Sequence, residues 1–287
     1  MLGLLYMLFS SCAFGFSNAY WKKAIQGYSF TQIIFVRGLF TTLFFSICYG
    51  LDVQWGLFQK WLGVPPHFTV EQVGISFGLC LFSAFGLYFF VQSLRSKGVS
   101  LVAPISSINI FGLLTAVFFL GETWGIRSSV ALILVCLGIY GIFRKEFQFD
   151  GLKAFFRALS GSLLSSFFWG VSYTLFKYPV AWLGVLPFTL LLEASVTLVV
   201  GLFLFFGNQK WQKIPLGPVL VLAFCVILGS TFLHLAYFNT SMTQIIFVSK
   251  SQLAFTLFFG QILYQEKLSK VQWLGIALLI LSIYVVI

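Results

Sequence analysis

The sequence predicts an all-α integral membrane protein whose ten transmembrane helices form a five-plus-five inverted repeat. Three observations carry that expectation. The composition is apolar and poor in charge, the first apolar segment is written twice, and the basic residues are distributed unequally between alternate connectors.

Of 287 residues, 60% are hydrophobic and only 8% charged, with 37 Phe. Soluble domains carry roughly 25% charged residues, so this chain cannot be solvated as an ordinary globule. The net charge of +10 does not mark a nucleic-acid binder. Its basic residues stand singly or in pairs at the ends of apolar runs, where they meet lipid headgroups and set orientation. They form no stripe on a soluble domain. The five cysteines (Cys12, Cys48, Cys80, Cys136, Cys225) all lie within apolar runs, an odd set that suits packing and not a disulfide framework. None has a Cys or His neighbour at ligand spacing, so neither a metal site nor a cofactor is expected.

A hydrocarbon core of about 30 Å takes about 20 helical residues to cross. Apolar runs of that length place spans at about 2–21, 30–49, 74–94, 100–120, 127–143, 159–178, 187–206, 219–238, 244–264 and 271–287. The first lacks a basic n-region and a small-x-small cleavage site, so it reads as a retained span and not as a signal peptide. Connector 50–73 is the long one, and its Trp55, Phe58, Trp61 and Leu62 suit a short interfacial helix before Pro65 and Pro66. The fifth span is the shortest, but flanking Arg127 and Arg144 can snorkel to the headgroups.

The repeat begins in span 1. SSCAFGFSNAYWK at 10–22 matches SSFFWGVSYTLFK at 165–177, so Ser10, Ser11, Gly15, Ser17 and Lys22 recur as Ser165, Ser166, Gly170, Ser172 and Lys177. Further on, LGETW at 120–124 overlays YQEKL at 264–268, setting Glu122 on Glu266. The halves are 1–148 and 149–287, with five spans each; an odd number makes the second half enter the membrane in the opposite direction. Connectors after the odd-numbered spans hold twelve basic residues, among them Lys22, Lys23, Arg95, Lys97, Lys210 and Lys213. The opposite set holds three: Lys60, Arg127 and Lys177. This positive-inside bias predicts both termini on the non-cytoplasmic side.

Ten spans in inverted halves, with Arg37 early in span 2, Pro104 early in span 4 and Gly121–Glu122 closing span 4, resemble the EamA family of the drug/metabolite transporter (DMT) superfamily. The resemblance covers the whole chain. The second half departs from the family pattern: Val248 stands where proline is common, and Gln265 replaces the glycine before Glu266. Span 9 is therefore expected to bend differently from span 4. The resemblance implies a central cavity lined by spans 1, 3, 4, 6, 8 and 9, gates formed by spans 2 and 7, and spans 5 and 10 at the periphery. It also implies a small organic cargo, amino acids included, and a place in the cytoplasmic (inner) membrane.

Ionisable residues inside spans are costly, and so are candidates for function. Four qualify: Arg37, Glu193, His234 and Lys250. At about 1.5 Å per residue, Glu193 and Lys250 lie roughly 9 Å and His234 roughly 6 Å below the outer surface, with Arg37 roughly 10 Å from the inner one. The repeat aligns Arg37 with Glu193. Inversion places such equivalents on opposite sides of the midplane, so the depths favour a Glu193–Lys250 pair and leave Arg37 without an acidic partner. That pair either neutralises two helices or yields one partner to substrate or proton. Arg37 either snorkels to backbone carbonyls or offers a fork to a carboxylate or phosphate, completed by Tyr88 and Ser106. His234 is read as a packed, hydrogen-bonded imidazole or a proton relay.

Trp169 and Tyr173 share one helical face and can wall a cavity. Asn109, Ser107, Gln92 and Gln252 either bond between helices or touch solute. Glu122 and Glu266, at the membrane boundary, read as structural.

Function follows as secondary-active transport of a small polar or amphiphilic metabolite, amino-acid-like or otherwise carboxylate-bearing or zwitterionic, by alternating access. Protons can serve as the coupling ion; uniport and exchange fit equally. A multidrug or nucleotide-type exchanger is the alternative. An intramembrane enzyme is disfavoured, because two His and no HExxH supply no catalytic constellation. Partners are then the solute and the lipid bilayer, with the chain a monomer or homodimer.

Overall fold

In a bilayer every backbone polar group must be satisfied within the chain, and an apolar chain does this as helix. Helices are the only regular structure among the described residues of the computed structural model, which are 1–25, 27–62, 67–97, 110–144, 152–207, 211–265 and 267–287. They are α1 (Leu2–Ala24), α2 (Phe30–Trp55), α3 (Gln59–Leu62), α4 (Val70–Lys97), α5 (Ile110–Leu120), α6 (Ile126–Phe143), α7 (Leu152–Leu175), α8 (Lys177–Leu183), α9 (Val185–Phe206), α10 (Leu216–Asn239), α11 (Met242–Val248), α12 (Ser251–Tyr264) and α13 (Lys270–Val286). Six stretches are both long and apolar enough to cross a membrane: Leu2–Trp21, Phe30–Trp55, Val70–Phe90, Val185–Phe206, Leu216–Asn239 and Met242–Tyr264. α5, α6 and α13 are shorter and also apolar.

The sequence places the end of the second span too early. α2 runs through Tyr49 and Gly50 to Trp55 and stops at Gly56, whose φ of 61° is the left-handed conformation glycine adopts without strain. Asp52, read as connector, is buried near the end of α2, where its carboxylate accepts the Phe58 N–H at 2.7 Å. The interfacial helix shrinks to the four residues of α3. Span 9 is interrupted. Between α11 and α12, hydrogen bonds from Lys250 N to Phe247 O, Gln252 N to Ser249 O and Leu253 N to Lys250 O give a tight i→i−3 turn.

The bundle is built from paired helices. α1 packs against α10 and α12, α7 against α4 and α5, α2 against α9, and α6 against α13. The twice-written segment serves the first two sets. Ser10, Ser11 and Ser17 are buried in α1, as are Ser165, Ser166 and Ser172 in α7. Ser10 Oγ donates to Gly229 O of α10 at 2.8 Å. Gly15 lets α1 lie directly on α12: a Cβ there would stand 2.5 Å from Phe255 Cβ. α6 and α13 meet through Gly138 and Gly275, each facing the other's backbone carbonyl. Such close approach through small residues is how helices associate where lipid removes the hydrophobic drive.

Two ends of the bundle can be told apart. Gly3 lies against Asn239 and Thr240, so the start of α1, the end of α10 and the start of α11 share one end. At the other, Tyr264 Oη donates to Ala19 O at 2.9 Å, tying α12 to α1.

Candidate functional site

The charged centre of the molecule lies where α2 crosses α9. Arg37 Nη2 stands 3.3 Å from Glu193 Oε2, with side-chain exposures of 10% and 5%. The expectation that inversion keeps these two apart is therefore overturned, as is the view that Arg37 lacks an acidic partner. Depth counted along each span separately treats the helices as parallel rods. α2 and α9 instead touch closely at mid-length, and the long arginine side chain closes the remaining gap. Among the described residues, Glu193 and Lys250 form no ion pair.

The local sequence explains the contact. Gly38 presents no side chain to α9; a Cβ there would fall 2.4 Å from Thr197 Oγ1. One turn after Arg37, Thr41 donates to Glu193 Oε2 at 2.8 Å. One turn after Glu193, Thr197 donates to the Glu193 carbonyl at 2.7 Å, and its oxygen meets Thr42 Oγ1 at 3.2 Å. A buried carboxylate is tolerable when its charge is matched and it is hydrogen-bonded; here Arg37 matches the charge, and Arg37 and Thr41 both bond Oε2. Among the described residues Arg37 Nε has no hydrogen-bond partner, so the guanidinium keeps a buried donor unspent. Sequence reasoning missed Thr41, Thr42 and Thr197. The signal was present in the i, i+4 spacing of Arg37–Thr41 and Glu193–Thr197, which puts a hydroxyl on the same face as each charge.

α7 brings an aromatic layer to this centre. Trp169 and Tyr173 stack with ring centroids 6.1 Å apart, as their shared face predicts. Trp169 Nε1 donates to Ser83 O at 3.1 Å, and the indole lies over Gly86 of α4. Tyr173 lies within electrostatic reach of both Arg37 and Glu193. Its carbonyl accepts from Tyr237 Oη at 2.9 Å, linking α7 to α10.

His234 sits one turn before Asn239 in α10, fully buried between Phe188 and Tyr237. Thr189 Oγ1 donates to Val185 O at 2.6 Å and so must accept from His234 Nδ1, also at 2.6 Å. That assigns the Nδ1–H tautomer, leaving Nε2 as a buried acceptor without a partner among the described residues. Lys250 is 3% exposed and stands at the break between α11 and α12.

The remaining candidates disperse. Tyr88 is 37% exposed and stacks on Phe203 of α9 at 4.4 Å. Gln252 is half-buried in the first turn of α12, where its carbonyl faces Gly15 and accepts from Thr256. Ser106, Ser107, Asn109, Pro104 and Glu266, and the side chain of Gln92, lie outside the described residues. A cavity of about 460 Å³ between α1 and α10 is lined by Ala13, Phe16, Leu220, Val221, Phe224, Cys225 and Leu228, none of them charged.

Comparison with known families decides the broad assignment. The model of the EamA-like transporter family matches residues 1–144 and again 157–287. The chain belongs to the EamA-like transporter family. As a member of the DMT superfamily it is an integral membrane transporter, and the arginine–glutamate centre lies inside a transport protein. A solved crystal structure, titled only "Crystal structure of protein", aligns over 99% of this EamA-like chain and 94% of its own with a TM-score of 0.70. At 10% identity that likeness speaks for the fold alone. No curated protein matches the chain.

Proposed function

We infer that this EamA-like protein is a secondary-active transporter of a small carboxylate-bearing or zwitterionic organic solute, amino acids foremost. The reading has ten spans in two inverted halves, 1–148 and 149–287, rocking about a site near the midplane. The observation that carries the solute class is the Arg37–Glu193 pair, buried between helices from the two family-matched segments with Arg37 Nε unpartnered. A planar guanidinium is suited to a carboxylate, and the adjoining Glu193 can take an ammonium. Trp169 and Tyr173, stacked on α7, supply apolar walls. The pairing of α1 with α10 and α12, matched by that of α7 with α4 and α5, supports the two-half reading.

Orientation follows the basic connectors: both termini outside, in the cytoplasmic membrane. His234, with its buried acceptor nitrogen, and Lys250, at the break in span 9, are the coupling candidates should transport be proton-linked. The test is uptake into proteoliposomes of labelled amino acids, nucleotides and cationic drugs. Saturable amino-acid flux that Arg37→Lys reduces supports the reading. Flux of a nucleotide or a cationic drug alone transfers the protein to the exchanger or multidrug class.

A further inference from the structure

Glu122 is placed by the sequence at the membrane boundary and read there as structural. Its contacts are more specific than that. Gly121, with φ of 66°, turns the chain at the end of α5 so that the Glu122 carboxylate points back over the bundle. Glu122 Oε1 accepts the Met242 N–H at 2.6 Å, and Oε2 accepts the Thr243 N–H at 2.7 Å together with the Thr243 hydroxyl. These are the first free amides of α11. Ser241 Oγ accepts the next, from Gln244. The same carboxylate lies 3.9 Å from Lys177 Nζ at the start of α8, and the neighbouring Tyr178 Oη donates to Phe119 O of α5 at 3.0 Å.

One carboxylate from the first family-matched segment thus gathers two helices of the second. It does so at the end of the bundle that holds Gly3, the end the charge pattern predicts to be non-cytoplasmic. α11 spans seven residues and ends at the i→i−3 turn of Ser249 and Lys250. Such a turn, between two short helices, is where a span can flex. α11 is thus an arm of about 10 Å, bonded to a carboxylate at one end and joined to the turn at the other.

We propose that Glu122 is the latch of the outer gate: it holds α11 and α8 against α5 in the closed position, and outward opening swings α11 about Ser249–Lys250 once those bonds are exchanged for water. The proposal rests on the transport reading. Its test needs no substrate, so a failure here leaves the solute assignment standing and a wrong solute leaves the latch standing.

Spin labels at Trp124→Cys, beyond α5, and Gln244→Cys, on α11, placed in the full chain with its five native cysteines replaced by alanine, report the gate as a distance distribution in lipid nanodiscs. Losing charge-assisted bonds of this kind shifts a two-state equilibrium by about tenfold or more. Glu122→Gln is expected to raise a longer-distance population by that order, Glu122→Ala by more, and Lys177→Met by less. Thermal melting is read on the same samples. A lowered melting temperature with an unchanged distance distribution in both Glu122→Gln and Glu122→Ala makes Glu122 an ordinary helix cap and overturns the latch. If Glu122→Ala does not fold, Glu122→Gln and Thr243→Val decide alone: a longer-distance population supports the latch, an unshifted distribution overturns it.

Discussion

Two carboxylates, Glu193 and Glu122, each join the first family-matched segment to the second, and they do so by opposite means. Glu193 is 4% exposed in the body of α9 and faces side chains: a guanidinium and a hydroxyl, both from α2. Glu122 sits at a helix end and faces backbone amides, with a lysine at the margin. A side-chain pair in a low-dielectric interior is all or nothing, because removing one member strands the other's charge. A capped amide can turn to water when the cap departs. The first arrangement therefore suits a fixed centre that meets solute, and the second suits a contact that must open and close.

The largest expected effect is on the buried pair. Arg37→Met leaves Glu193 uncompensated and should cost about 3–5 kcal/mol, read as a fall in melting temperature in detergent. Arg37→Met combined with Glu193→Leu should recover most of that loss, since two apolar residues carry no stranded charge. An unrecovered double variant breaks the contrast, because the single loss would then come from packing. Next is Gly38→Val, which drives a methyl-bearing carbon toward Thr197; about 1–3 kcal/mol of destabilisation is expected from overpacking. Glu122→Gln should cost less, about 1–2 kcal/mol, because its amide oxygen can still accept one N–H. Smaller again is Thr41→Val, at about 1 kcal/mol for one hydroxyl bond to the carboxylate. If Glu122→Gln proves costlier than Arg37→Met, the assignment of fixed and opening contacts is reversed.

Much of the fold was legible from chemistry that acts along the chain. The apolar runs located the six described helices long and apolar enough to cross a membrane, and the twice-written SS…G…S segment located the serines buried in α1 and α7 and the glycine on which α1 packs. The stacking of Trp169 on Tyr173 was legible for the same reason: both sit on one helix, four residues apart. The pairing of charges was not. It depends on how α2 and α9 cross, and that is set by Gly38 and Thr197, residues without charge that depth counting ignores. Glu122, read as structural and within reach of basic side chains, does meet Lys177, but its amide partners lie 120 and 121 positions away and amides leave no mark in a sequence. The end of α2 was missed because Asp52 reads as a breaker, whereas here it bonds the backbone beyond the helix and is buried.

The proposed role of the Arg37–Glu193 centre is to meet the transported solute. The Arg37→Met, Glu193→Leu double variant tests it most directly, because it is expected to fold while lacking both charges. Labelled amino-acid uptake should be near background in proteoliposomes holding the double variant at the same density and melting temperature as the native protein. Undiminished flux through that variant would contradict the claim and leave the pair a purely structural tie between α2 and α9.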